Sequence, residues 1–134
     1  MKKIALSLIF ICLIAAAVFS RFYKLGTSPD SLIIDEANYA YIAYSILETG
    51  KDEHQEVYPL AFKGFGDYKL PAQVYALVPI VKLFGLNNFA ARLPAALSGI
   101  LLVVTIYQLF LEWGFNKRSA LFAGLIVLIS PWTF

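Results

Sequence analysis

Charged residues are absent from three long stretches of this chain, and this pattern constrains the fold more than any other feature. The stretches cover 4–20, 93–111 and 119–134, with 17, 19 and 16 residues respectively. A fourth stretch, 70–86, holds a single charge at Lys82. A helix needs about 20 residues to cross the hydrocarbon core of a bilayer, and about 17 suffice. The pattern therefore predicts an all-α polytopic membrane protein with spans near 4–20, 70–87, 92–112 and 118–134.

The composition excludes the other broad classes. The chain is 60% apolar and 15% charged, whereas ordinary globular domains carry roughly 25% charged residues. Its 11 Phe, 8 Tyr and 2 Trp argue against disorder, and its one cysteine argues against a disulfide scaffold. The net charge of +2 provides no basic surface for nucleic acid. The expected surroundings are membrane lipids.

The first two predicted spans leave alternatives open. Lys2 and Lys3 precede the first span, and Ala15 and Ala17 have the spacing of a signal-peptide cleavage site. The apolar run exceeds the ~7–15 residues of a signal-peptide core, which favours an anchored helix. In the second span, two prolines interrupt the pattern. A first helical turn accepts proline at Pro71, and a membrane helix tolerates the kink expected at Pro79.

The acidic residues of the chain are concentrated between the first two spans. The segment 21–69 holds eight acids and five bases, so any chemistry is expected there. Within it, 36–47 has helical spacing, with Ala40, Tyr41 and Tyr44 on one face and Gly50 as a stop signal. Tyrosines suit the headgroup layer of a membrane. The spacing thus predicts an interfacial helix beside the bilayer.

Asp35 is the first candidate functional residue. It opens the predicted helix, where an aspartate commonly serves as N-cap, and Glu36 is then a favourable first-turn acid. Alternatively, the apolar run 32–34 holds Asp35 against the membrane surface, where a partly desolvated carboxylate becomes more basic. Such a group suits a general base that removes a proton from an acceptor hydroxyl.

Lys69 is the second candidate, at the entrance of the second span. Its ammonium either extends to the membrane surface, as interfacial lysines do, or neutralises a phosphate there. His54 lies beside Asp52 and Glu53, but a single histidine without ligand spacing does not predict a metal site. The sequence determines no cofactor, and a divalent metal stays an open alternative that no residue pattern supports.

An ordered set of short motifs resembles the N-terminal part of the GT-C class of membrane glycosyltransferases. Within this class, the chain is similar to the bacterial family related to protein O-mannosyltransferases and lipid A aminoarabinose transferases. The motifs extend from Arg21 to about Pro131, and they comprise 21–25, Asp35-Glu36-Ala37, Thr49-Gly50, Pro59, 66–71, 84–87, Ala91-Arg92-Leu93-Pro94 and Ser130-Pro131.

The resemblance implies a fold, an orientation and an activity. The region 1–134 would be the N-terminal part of a GT-C transmembrane domain in the plasma (inner) membrane. Its N-terminus would be cytoplasmic and its loop 21–69 outside, although a raw count of Lys and Arg favours the reverse. Such enzymes transfer a sugar, with inversion, from a polyprenyl-phosphate donor to a lipid, glycan or protein acceptor.

Residue roles follow from the same resemblance. Asp35 is the expected catalytic base and Lys69 the expected contact of the donor phosphate. Glu36, Asp67 and Tyr68 are expected to bind substrate. Related sequences often have two prolines directly after the lysine, whereas Leu70 separates Lys69 from Pro71 here.

Two hypotheses therefore follow from the sequence. In the first, the chain is the N-terminal fragment of a larger transferase, and the 134 residues alone are inactive. In the second, it is a small four-span scaffold or assembly protein without catalysis. A stop codon directly after residue 134 in an intact gene would favour the second.

Overall fold

The computed structural model of the protein describes residues 2–64, 66 and 68–130, with side chains from Leu8 onwards except that of residue 17. It is mostly helical. The elements in chain order are α1 (Lys2–Phe22), α2 (Ile34–Thr49), β1 (Phe62–Lys63), β2 (Tyr68–Lys69), α3 (Pro71–Phe84), α4 (Asn88–Glu112) and α5 (Lys117–Ile129). The predicted helices are thus all present, but the expectation of a purely helical chain missed a short antiparallel hairpin.

The helices differ in whether they can cross a membrane. Among the described residues, one helix, α4, is long and apolar enough to do so. The apolar part of α1 (Leu8–Phe22) and the whole of α3 are shorter. Helix α3 has 14 residues, because it begins at Pro71 and ends at Phe84, directly before the C-cap Gly85. Helix α5 has 13 residues. Four spans therefore stay a prediction. A helix is present within each predicted span, and 131–134 of the fourth lie outside the described residues.

Two compact units make up the chain, one formed by 1–23 with 95–134 and the other by 24–94. In the first unit, Leu13, Val103 and Leu128 form a buried cluster. Gly124 of α5 lies close to Leu13, since a Cβ built at this glycine would lie 3.1 Å from Leu13 Cδ2. A small residue at this contact allows close helix packing.

The second unit packs α2 against α3 and the hairpin. Its core consists of the fully or almost fully buried residues Ile42, Ala43, Ile46, Phe62, Val74, Leu77 and Val81. The Tyr75 hydroxyl donates a hydrogen bond to the Pro59 carbonyl at 2.8 Å, which ties α3 to the loop before the hairpin. The core side of α2 carries Ile42 and Ile46, whereas Tyr41 and Tyr44 are exposed. Helix α2 is thus part of a packed core.

The ends of α2 confirm one prediction and correct another. Gly50 closes the helix in the left-handed conformation, with φ of 71°, and its N–H donates to the Ile46 carbonyl at 2.9 Å. The start differs from the prediction of Asp35 as N-cap, because Ile33 occupies that position and Asp35 is the second helical residue. The Glu36 carboxylate instead accepts the Ile33 N–H at 3.3 Å, which satisfies one donor at the helix start.

Candidate functional site

The two main candidate residues, Asp35 and Lys69, meet in the unit 24–94 although 34 positions separate them in the chain. Lys69 Nζ donates a hydrogen bond to Asp35 Oδ1 at 3.1 Å. The Lys69 side chain is 6% exposed, whereas the Asp35 side chain is 69% exposed. The ammonium of this ion pair is therefore buried, whereas its carboxylate is exposed.

The hairpin explains why Lys69 is buried. Residues directly opposite each other in paired strands project from the same face, and neighbours along a strand alternate. Phe62 is paired with Lys69 and both are buried, while their neighbours Lys63 and Tyr68 pair on the exposed face. The Lys69 ammonium is thus enclosed by the unit 24–94 and paired with Asp35. The proposed substrate contact Tyr68 is 69% exposed and lies on the other face from Lys69.

Lys69 has a second acceptor that the sequence interpretation missed. Its Nζ donates to Asn38 Oδ1 at 2.6 Å and lies 4.8 Å from the centre of the Tyr39 ring. Asn38 Nδ2 in turn donates to both carboxylate oxygens of Glu53, each at 3.1 Å. Asn38 follows Asp35 by three positions, a spacing that places two residues on one helix face. This spacing is the signal by which the sequence could have identified Asn38.

The surroundings of Asp35 differ from those expected. The protein does not bury its carboxylate, and the preceding residues Ile33 and Ile34 are 63% and 75% exposed. The expected desolvation is therefore not provided by contacts within the described residues. Two large apolar side chains, Ile33 and Ile34, are nevertheless exposed directly before Asp35.

A buried arginine holds the segment that leads into α2. Arg92 is 6% exposed, and its Nε donates to Glu36 Oε2 at 3.4 Å. Its two terminal nitrogens donate to backbone carbonyls of Leu25 (3.1 Å), Pro29 (3.0 Å) and Ser31 (2.9 Å). Glu36 therefore contacts Arg92 and the helix start, one position after Asp35. Sequence reasoning identified Arg92 only as part of a motif, not as this contact.

The residues considered for metal binding have other roles in the structure. Asp52 is 1% exposed, and its Oδ1 accepts the backbone N–H groups of His54 and Glu56, both at 2.9 Å. His54 Nε2 lies 3.8 Å from Glu53. Within the part of the chain that the structure describes, no group of three or more His, Cys, Asp or Glu residues is arranged to hold a metal ion. Asp67, predicted to bind substrate, lies outside the described residues.

Comparison with known proteins identifies the family to which the chain belongs. The family model described as dolichyl-phosphate-mannose-protein mannosyltransferase matches residues 11–134. The chain belongs to this family, so the predicted resemblance is confirmed. One relative is the undecaprenyl phosphate-alpha-4-amino-4-deoxy-L-arabinose arabinosyl transferase 1 of Pseudomonas fluorescens, which is 33% identical over 112 residues. The match covers 82% of this chain and 20% of that protein. No solved structure matches the chain.

Proposed function

We propose that this protein is a membrane glycosyltransferase that takes a sugar from a polyprenyl-phosphate donor and passes it to an acceptor on the outer side of the membrane. Its family and the name of its relative, which specifies an undecaprenyl-phosphate-linked sugar, support this proposal. The observation that carries it is the 3.1 Å contact between Lys69 Nζ and Asp35 Oδ1. A reaction with a phosphate leaving group and an acceptor that loses a proton uses a cation and a base within one site.

In the proposed reaction, an acceptor hydroxyl or amine attacks the anomeric carbon from the face opposite the phosphate. The bond from the acceptor to this carbon forms while the bond from the carbon to the phosphate oxygen breaks. The polyprenyl phosphate leaves with the electron pair of the broken bond, and the configuration inverts. Asp35 accepts the acceptor proton, and Lys69 compensates the charge of the departing phosphate.

The ion pair between Lys69 and Asp35 suggests what donor binding changes in the site. The Lys69 ammonium is almost completely enclosed, so a phosphate meets it on the side where Asp35 lies. We infer that the donor phosphate replaces Asp35 as the ionic partner of Lys69. Asp35 is then available to the acceptor, in an exposed position at the start of α2.

The other residues predicted to bind substrate, Tyr68, Asp67 and Glu36, are given different roles in this proposal. Tyr68 exposes its ring on the outer face of the hairpin, next to Lys69 in sequence, and is proposed to contact the donor with Asp67. Glu36 accepts hydrogen bonds from Arg92 and from the Ile33 N–H. We therefore propose that Glu36 acts on the substrate through its neighbour Asp35, whose helical turn it holds.

The decisive experiment is Asp35→Asn, made in the complete gene product and assayed in membrane vesicles with a lipid-linked sugar donor. Loss of a general base costs typically 10²–10⁴-fold in rate, so we expect a loss of this order with expression unchanged. Asp30→Asn is the matched control, because it makes the same change at an exposed aspartate outside the pair. Normal turnover of Asp35→Asn would exclude Asp35 as the base. Absence of transfer by the wild-type protein would favour the non-catalytic scaffold.

A further inference from the structure

Asn38 lies between a cation and a carboxylate that do not touch each other in the structure. Its carbonyl oxygen accepts from Lys69 Nζ at 2.6 Å, and its amide nitrogen donates to both oxygens of Glu53 at 3.1 Å. Asn38 is half-buried, and the Glu53 side chain is 25% exposed. The loop that carries Glu53 is thereby connected to the buried ammonium.

The chemistry of the three groups fixes the orientation of the amide. An ammonium only donates hydrogen bonds, an ionised carboxylate only accepts them, and an amide has one end of each kind. In the reverse orientation, the amide N–H groups would face Lys69 and the amide oxygen would face Glu53. Both contacts would then be repulsive. Glu53 therefore determines that the accepting end of Asn38 faces Lys69.

The neutral amide also keeps a second negative charge away from Lys69. Lys69 is already paired with Asp35 at 3.1 Å. A carboxylate at the Asn38 position would compete with any anion for the same ammonium, since opposite charges interact strongly at such distances. Asn38 therefore connects Lys69 to Glu53 by hydrogen bonds while keeping the Glu53 carboxylate out of contact with the ammonium.

We propose that Asn38 and Glu53 are positioning residues that hold the Lys69 ammonium where it meets the donor phosphate. This inference rests on the proposed function, because it assigns to Glu53 and Asn38 the task of preparing its phosphate site. Neither residue touches the donor in this scheme. Both act through Lys69, which is nearly buried and donates hydrogen bonds to Asn38 and to Asp35.

The test is Glu53→Gln, with Glu56→Gln as the matched control in the same loop. Glu56 is 51% exposed and lies 3.8 Å from Lys63, on the exposed face of the hairpin. We expect Glu53→Gln to raise KM for the lipid-linked donor about tenfold, the effect of losing one hydrogen bond of a charged group, with kcat changed less. In a Lys69→Ala background, Glu53→Gln should have no further effect. An additional loss there would overturn the proposal, because Glu53 would then act independently of Lys69.

A second measurement does not depend on sugar transfer. The purified protein is treated with a small amine-acylating reagent, and the labelled fraction of Lys69 is followed by mass spectrometry. Glu53→Gln should increase the rate at Lys69 several-fold, whereas Glu56→Gln should leave it unchanged. Unchanged labelling would overturn the positioning role, even if the wild type is inactive and the proposed function fails. Increased labelling with an unchanged donor KM in an active enzyme would overturn the link to the donor.

Discussion

Lys69 and Arg92 are two buried cations of the unit 24–94, and the structure satisfies them differently. Lys69 donates to two side chains, Asp35 and Asn38, whereas Arg92 donates to Glu36 and to three backbone carbonyls. A lysine presents a compact charge whose partner exchanges easily, whereas the planar fork of an arginine fits several fixed acceptors. At the residue scale, Lys69 is therefore suited to bind a ligand and Arg92 to hold the chain.

Replacing Lys69 with alanine should weaken use of the lipid-linked donor. The substitution removes the ammonium that pairs with Asp35. We expect KM for the donor to rise at least about tenfold, as for the loss of a charge-assisted hydrogen bond. Lys63→Ala is the matched control, because Lys63 belongs to the other strand of the same hairpin and is 54% exposed. Unchanged donor kinetics in Lys69→Ala would remove Lys69 from the site.

Replacing Arg92 with lysine should destabilise the fold. A lysine keeps the charge but does not reach the four acceptors together, so carbonyls of Leu25, Pro29 and Ser31 lose their buried donor. We expect a loss of about 1–3 kcal/mol in the free energy of unfolding, the range for buried hydrogen-bond acceptors that lose their donor. Thermal unfolding in detergent measures this effect, with Arg118→Lys as an exposed control. An equal Tm for both variants would show that these contacts contribute little.

At the element scale, the short hairpin decides the position of Lys69. Strand β1 inserts Phe62 into the core formed with α2 and α3, and Lys69 is its partner on β2. The Phe62 ring lies 5.7 Å from that of Tyr75, which belongs to α3. Because each strand has only two residues, this packing rather than the pairing anchors the hairpin.

Truncation of Phe62 tests this dependence. Phe62 is fully buried, and Phe62→Ala should lower the free energy of unfolding by about 3–5 kcal/mol because it leaves a cavity. The control is Leu60→Ala in the same segment, since Leu60 is 81% exposed. Urea unfolding of the detergent-solubilised protein followed by fluorescence compares the two variants. Similar midpoints for both would mean that the hairpin does not depend on Phe62.

The elements also show which local signals are reliable. Pro71 in the first turn of α3 and Gly50 at the end of α2 were predicted correctly, because proline and glycine act through their own backbone conformations. The N-cap at Asp35 was wrong by two residues, since Glu36 satisfies the Ile33 N–H and the helix starts earlier. The hairpin was missed because a two-residue strand has no periodicity to detect.

At the scale of the whole molecule, the proposed orientation places the N-terminus inside and the loop 21–69 outside. Cysteine labelling in intact cells tests it, in a Cys12→Ala background that removes the one cysteine of these 134 residues. A membrane-impermeant maleimide should label His54→Cys from outside, and Leu86→Cys only after permeabilisation. Both positions are exposed in the structure, so access depends on the side of the membrane. The reverse pattern would invert the proposed topology.

The sequence by itself determined the helical membrane character and the family, indicated where the helices lie, and singled out Asp35 and Lys69 as candidates. These follow from local properties, namely charge-free stretches, helix-ending residues and short motifs. Only the tertiary structure decided that the two residues form a 3.1 Å pair, that Asn38 and Glu53 support it, and that Arg92 holds the entry to α2. The physical reason is sequence separation. The Asn38–Glu53 contact spans 15 positions and the Arg92–Leu25 contact spans 67, so tertiary packing determines both contacts and no local pattern encodes them.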